Sequence, residues 1–224
     1  MSLVLIIAVS CIARWMGGAE SVAAPAGAGK RVVVLDAGHG GSDPGKIGVN
    51  KALEKDINLS IVLKLKPLLE EKGITVVLTR EGEEGLYGEE DTNKKRADMA
   101  RRCQIIADSG CAIAVSIHQN SYHEEEVSGP QVFYYATSIE GKKLAALIQQ
   151  ELVEQLSPAK ERTEKANDSY YLLKKAVCPI VIVESGFLSN WNEAGLLVTE
   201  EYQQRVAQAV ADGIEEYLSE EHQK

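Results

Sequence analysis

Cysteine, aromatic residues and basic charge are all scarce in this chain of 224 residues. It has four Cys, two Trp, two Phe and six Pro, and 24 Lys and Arg against 33 Asp and Glu, for a net charge of −9. Four cysteines are too few to staple a domain of this length, which excludes a disulfide scaffold. One of them, Cys11, lies in the N-terminal apolar run; the others, Cys103, Cys111 and Cys178, form no C-x-x-C, which argues against a zinc–thiolate cluster. Buried free thiols are the expectation, with a Cys103–Cys111 pairing left open. The aromatic shortage argues against a sugar-stacking surface. The acidic balance argues against nucleic acid as a partner, because phosphate binding needs a basic face.

Long apolar runs are also missing. The longest, SLVLIIAVSCIA from Ser2 to Ala13, is about a dozen residues, short for a membrane span and suited to the apolar core of an export signal. A tract of small residues, 17–29, follows it and holds the cleavage-like Val22-Ala23-Ala24. The reading is three segments: 1–29 as a signal or membrane anchor with linker, 30–219 as one folded domain, and 220–224 as a polar tail. The protein is expected to be exported and to work outside the cytoplasm, with the first segment either removed or retained as an anchor.

What remains is an ordinary globular composition, 45% hydrophobic and 25% charged, enough for one core. Residues 31–36 (RVVVLD) form a β-branched run typical of a strand buried on both faces. A glycine-rich loop, 37–48, comes next. Residues 56–72 carry Ile57, Ile61, Leu65 and Leu68 at helical spacing, with a kink or early break expected at Pro67. Residues 74–79 read as a second buried strand, 81–90 as an acidic loop, and 92–108 as a helix with Ala100, Cys103 and Ala107 inward. Strands are expected at 112–117, 131–136 and 180–183, helices at 139–156 and 200–218, and a polar linker at 157–169. Strands alternating with helices predict a single α/β domain with a mostly parallel twisted sheet, helices on both faces.

In such folds the ligand site sits at the carboxyl ends of the strands. Three predicted strands run into polar residues there: Asp36 ends the first and His39 follows it, His118 and Asn120 follow the third, and Glu184 follows the run at 180–183. Glu54 opens the first helix. Two imidazoles and two carboxylates in one cleft suit a hydrolytic zinc site, which takes three protein ligands and leaves a carboxylate free to move the proton. His39, Glu54 and His118 fit the ligand role and Glu184 the base. Asp36 and Asn120 would support the ligands or touch substrate. The alternative for Glu184 is a salt bridge with Arg80 or Arg96. The small Gly-His-Gly-Gly segment, 38–41, clears space around His39. Rival motifs are missing: no H-E-x-x-H, no phosphate-binding G-x-G-x-x-G or Walker loop, no G-x-S-x-G elbow. His123 and His222 are expected at the surface.

Four segments, VVLDAGHGGSDPG, LEKDINL, SIHQNS and VESGFLSN, resemble in content and order the signatures of the zinc-dependent N-acetylmuramoyl-L-alanine amidases of the third amidase family. The resemblance spans about residues 31–218 and implies one Zn²⁺ per domain, held by His39, Glu54 and His118, with Glu184 catalytic. It implies hydrolysis of the amide between the lactyl group of N-acetylmuramic acid and L-alanine in peptidoglycan. SIHQNSYH and the QVFYY strand are similar to the sporulation and germination subgroup, which implies spore cortex as substrate and a step toward muramic-δ-lactam. Peptidoglycan strands are then the main partner, and a protein activator or lipoprotein is a further expectation. The rival readings are a vegetative cell-wall amidase, another zinc hydrolase, or a non-catalytic peptidoglycan-binding protein on the same fold. The loops 81–90 and 122–129 are expected to line the glycan groove.

Overall fold

Residues 31–220 are described by the structure, a computed structural model; the expected export segment, His222 and the end of the tail lie outside them. Six strands form one sheet: β1 (Val32–Ala37), β2 (Thr75–Leu78), β3 (Ile113–Asn120), β4 (Gln131–Tyr135), β5 (Lys165–Asn167) and β6 (Ile180–Phe187). Their spatial order is β2-β1-β3-β6-β4-β5. The pairs from β2 through β6 are parallel, β4 runs antiparallel to β6, and β5 is parallel to β4. The chain leaves β1 first toward β2 and then crosses to β3 on the other side. That reversal makes the carboxyl ends of β1 and β3 the place where a crevice opens.

Alternation along the strands assigns the two faces. Val33, Leu35, Ile113, Val115, Ile117, Val181 and Val183 pack on one face against α1 (Glu54–Glu71), α3 (Ile139–Leu156) and α6 (Glu200–Glu220). Val34, Ala114, Ile180 and Ile182 pack on the other against α2 (Lys94–Ser109) and the short α4 (Tyr171–Lys175). The first cluster is the larger and holds α6 through Val206, Val210, Ile214 and Tyr217, the stripe its spacing predicts. Each such fully buried aliphatic side chain contributes about 1.5–3 kcal/mol. Continued past the second core cluster, the same alternation brings Asp36, Ser116, His118 and Glu184 to the α2–α4 face.

Several expectations are corrected. α1 runs unbroken through Pro67. The ring sits on the exposed side, beneath exposed Leu63, where water can replace the forfeited hydrogen bond, while Ile57, Ile61, Leu65 and Leu69 anchor the buried side. β2 is an edge strand, only half-buried. The inward stripe of α2 is Asp98, Arg102 and Ile106, and Ala100 and Ala107 face solvent. The polar linker contains β5, which is held by backbone pairing to β4 with little side-chain burial. A further short helix, α5 (Trp191–Leu197), follows β6, capped by Asn190 accepting from the Glu193 amide. α6 extends through Glu220. Cys103, Cys111 and Cys178 are half-buried free thiols, and it is Cys178, not Cys103, that lies against Cys111.

Candidate metal centre and catalytic site

The first site residue stands just past β1. His39 adopts a left-handed φ of 63°, a costly conformation for a side chain with a Cβ. Two buried arginines hold it there. Arg102 donates to the carbonyls of Ala37 and His39, at 2.7 and 2.5 Å. Arg80 donates to the carbonyls of Ala37 and Gly38, at 2.9 and 3.1 Å. Three consecutive carbonyls are thus satisfied by guanidinium groups, and the strained turn is fixed by charge-assisted bonds.

Glu54 is the first residue of α1 and is 2% exposed. Its Oε2 accepts from the Lys46 amide at 2.7 Å. Its Oε1 lies 3.1 Å from His39 Nε2 and 2.9 Å from His118 Nδ1, and also accepts from the Gln119 amide at 3.1 Å. The two imidazoles meet edge to face, with centroids 5.0 Å apart. One donor atom each from His39, Glu54 and His118 lies within 4.8 Å of the other two, and this is the set of metal-competent residues found among the described residues. Burial pushes the Glu54 carboxyl up, but the bonds from His118 and His39 outweigh it and hold the group well below the usual carboxylate range. Glu54 is therefore an anion under a pair of imidazoles.

Glycine is required around this cluster. A Cβ on Gly38 would fall 2.2 Å from His118 Cε1, and one on Gly45 would fall 2.5 Å from Glu54 Oε2 and 2.7 Å from His39 Cδ2. The backbone closes on the donor set from both sides, and the donor set is two nitrogens and a carboxylate oxygen. Both features fit a zinc ion held by three protein ligands with a position left open.

Glu184 enters from β6, paired in register with His118 on β3, just before a register shift in the β3–β6 ladder. It makes no ion pair with Arg80 or Arg96. Arg80 is committed to backbone carbonyls, and the Arg96 side chain is exposed. Glu184 is 8% exposed, and its Oε2 is buried without a hydrogen-bond partner. Burial pushes its carboxyl up to about 7, with the neighbouring Glu54 adding to the rise and the imidazoles opposing it. An unpartnered buried carboxylate is costly in a purely structural role. Poised near neutrality, it suits proton transfer.

Asp36 lies beneath the cluster, 1% exposed, and takes three side-chain hydrogen bonds. It accepts from Thr79 Oγ1 at 2.7 Å, Arg102 Nη1 at 2.5 Å and Ser116 Oγ at 2.5 Å. Arg102 in turn donates to Asp98 at 2.5 Å. Asp36 is thus placed to support the His39 turn through Arg102. Burial raises its carboxyl, but the guanidinium and the two hydroxyls win and bring it down to about 2, from an ordinary 3.8. A depressed folded-state value gives stability that is complete above about pH 4 and is lost as pH falls toward 2. The denaturant midpoint should therefore fall across that window. Arg102→Met is expected to cost about 3–5 kcal/mol at neutral pH by stranding buried Asp36, and to flatten the acid slope. Urea unfolding at several pH values checks both.

These residues border a cleft of about 830 Å³ whose wall also includes Tyr87, Lys94, Lys95 and Tyr170. Asn120 lines it from the end of β3, its Oδ1 accepting from the Ser121 amide at 2.8 Å. Of the two loops expected to line a groove, the first contributes Tyr87. The second, 122–129, contributes none of the wall; it is pinned to the region of α5, where Glu193 accepts from the Gly129 amide at 2.7 Å. His123 is exposed, stacked against Tyr122. Sequence reasoning offers Arg80 only as a salt-bridge partner of Glu184 and overlooks Arg102 and Asp98. Their signal was present: two charged residues four apart, followed by Ile106, where an apolar stripe was expected.

Comparison with known proteins shows the family. The family model for N-acetylmuramoyl-L-alanine amidase (Amidase_3) matches residues 33–216. The germination-specific N-acetylmuramoyl-L-alanine amidase of Bacillus subtilis is 35% identical over 193 residues, 85% of this chain and 81% of that protein. The CwlD amidase of Clostridioides difficile, solved in complex with the GerS lipoprotein, is 42% identical with a TM-score of 0.82, over 84% of this chain and 98% of that one. The catalytic domain of the CwlV amidase from Bacillus (Paenibacillus) polymyxa var. colistinus is 31% identical with a TM-score of 0.75, over 84% and 98% of the two chains.

Proposed function

The chain belongs to the N-acetylmuramoyl-L-alanine amidase family and is a peptidoglycan amidase, and from that premise we propose that it is a zinc enzyme of the spore cortex with His39, Glu54 and His118 as ligands and Glu184 as its proton-transfer group. The observation that carries the reading is the meeting of three donor atoms within 4.8 Å beside a buried, unpartnered carboxylate. Zinc bound there would supply Lewis acidity, activating water and polarising the scissile carbonyl.

The protein's own residues do the rest. Arg80 and Arg102 fix the His39 turn, so the ring enters the cleft at a set angle. The Gln119 amide and Asn58 orient Glu54. Glu184, as a carboxylate, takes the proton from the attacking water and returns it to the L-alanine nitrogen as the C–N bond breaks. Its burial keeps both protonation states within reach near neutral pH. Asn120 and Tyr170 on the cleft wall are positioned to touch the lactyl-peptide portion.

The cortex assignment is supported by likeness to the germination-specific relative. The GerS complex of the C. difficile relative supports a lipoprotein partner for this chain as well. Action outside the cytoplasm follows from the substrate. No helix among the described residues is long and apolar enough to cross a membrane. The test is digestion of purified cortex and vegetative peptidoglycan with mass analysis of the products. Free L-alanine amines, released faster from cortex, are expected. Released acetate, or cleavage within the stem peptide, would overturn the amidase chemistry; equal rates on both walls would overturn the cortex preference.

A further inference from the structure

Outside the cleft, at the opposite ends of the same strands, two thiols meet. Cys111 precedes β3 and Cys178 precedes β6, neighbours in the parallel ladder whose register begins with Ala114 opposite Ile180. Their sulfurs are 2.9 Å apart, although 67 residues separate them in sequence. That is closer than two non-bonded sulfurs ordinarily rest, and neither residue is free to drift. The Cys111 amide donates to Ser109 Oγ at 3.2 Å, in the turn that ends α2. Cys178 precedes Pro179, which restricts its backbone, and the Pro179 carbonyl accepts from Ala114 at 3.0 Å. Cys103 has no such neighbour among the described thiols.

We propose that Cys111 and Cys178 form a redox couple that closes to a disulfide, stapling the starts of the two strands that carry His118 and Glu184. The two thiols are chemically unequal. The contact between them lowers the Cys111 thiol and, with burial, pushes Cys178 up. Cys111 is therefore the attacking thiolate. With a small-molecule disulfide as oxidant, Cys111 sulfur bonds to one of its sulfurs and expels the other as a thiolate. Cys178 then gives up its proton to solvent and attacks Cys111 sulfur, expelling the second thiolate. Two protein thiols are oxidised and one disulfide is reduced to two thiols. An oxidising compartment outside the cytoplasm would favour the closed form.

The inference does not depend on the amidase reading, because its readout is thiol chemistry. The full chain is equilibrated in graded ratios of reduced to oxidised glutathione, alkylated and mapped by peptide mass. One linked pair, Cys111 with Cys178, should form while Cys103 stays alkylatable. The closed form should melt higher than the reduced form by roughly 5–15 °C, given the long loop it closes. Cys103→Ser should keep that redox-dependent shift and Cys111→Ser should lose it. Both thiols remaining alkylatable in the most oxidising buffer, or linkage through Cys103 instead, would overturn the couple. A linked protein whose melting temperature is unmoved by reductant would overturn the staple. The mapping uses the unmodified chain, so it stands even if a variant folds poorly.

Discussion

Glu184→Gln is expected to lower peptidoglycan cleavage by about 10²–10⁴-fold while leaving the fold and the metal in place. The substitution keeps the shape of a side chain that is 8% exposed and removes only its ability to accept and return a proton. No ion pair is broken, because Glu184 makes none with Arg80 or Arg96, and one oxygen had no partner to lose. The variant should therefore melt at or slightly above the temperature of the parent, since a buried carboxyl pushed up to about 7 gives way to a neutral amide. Turnover on purified cortex, metal content and thermal unfolding measured together separate the outcomes. A variant retaining full activity would remove Glu184 from the chemistry. One that lost its metal in parallel would make Glu184 a ligand instead.

The second large effect concerns the imidazoles. His118→Ala removes one of three donors and unmasks Glu54, whose Oε1 accepts from that ring at 2.9 Å. Loss of one ligand from a three-residue site should reduce metal affinity beyond recovery at micromolar zinc and abolish activity with it. Elemental analysis after dialysis checks the first statement and the cleavage assay the second. Full metal content in His118→Ala would contradict the assigned ligand set. The effect should differ in kind from that of Glu184→Gln, which is metal-replete and inactive.

Both predictions concern residues that the sequence exposes, for a physical reason. Strands buried on both faces read as unbroken aliphatic runs, so a titratable residue ending one is conspicuous. Asp36, His118 and Glu184 share one face with Val34, Ala114 and Ile182 by simple alternation. Glu54 was less conspicuous: it opens a helix, and its meeting with both imidazoles depends on how the loop before α1 turns back. The supporting layer was hidden. Hydrophobic periodicity assigns apolar residues inward, which turns Ala100 and Ala107 of α2 to the core, whereas the buried side holds Asp98 and Arg102. A buried guanidinium becomes readable only once a carboxylate and several carbonyls are known to face it. The edge strand β5 and the short helices α4 and α5 escaped for another reason, since three to seven residues give periodicity too little length to register.

The most direct measurement of the central claim is a titration. The purified full-length protein is stripped with chelator and zinc is added back in substoichiometric steps, with bound metal and release of L-alanine amines followed in the same samples. The two curves should rise together and level off at one ion per chain. Undiminished cleavage by the stripped protein, or a plateau in metal binding that activity does not follow, would contradict it.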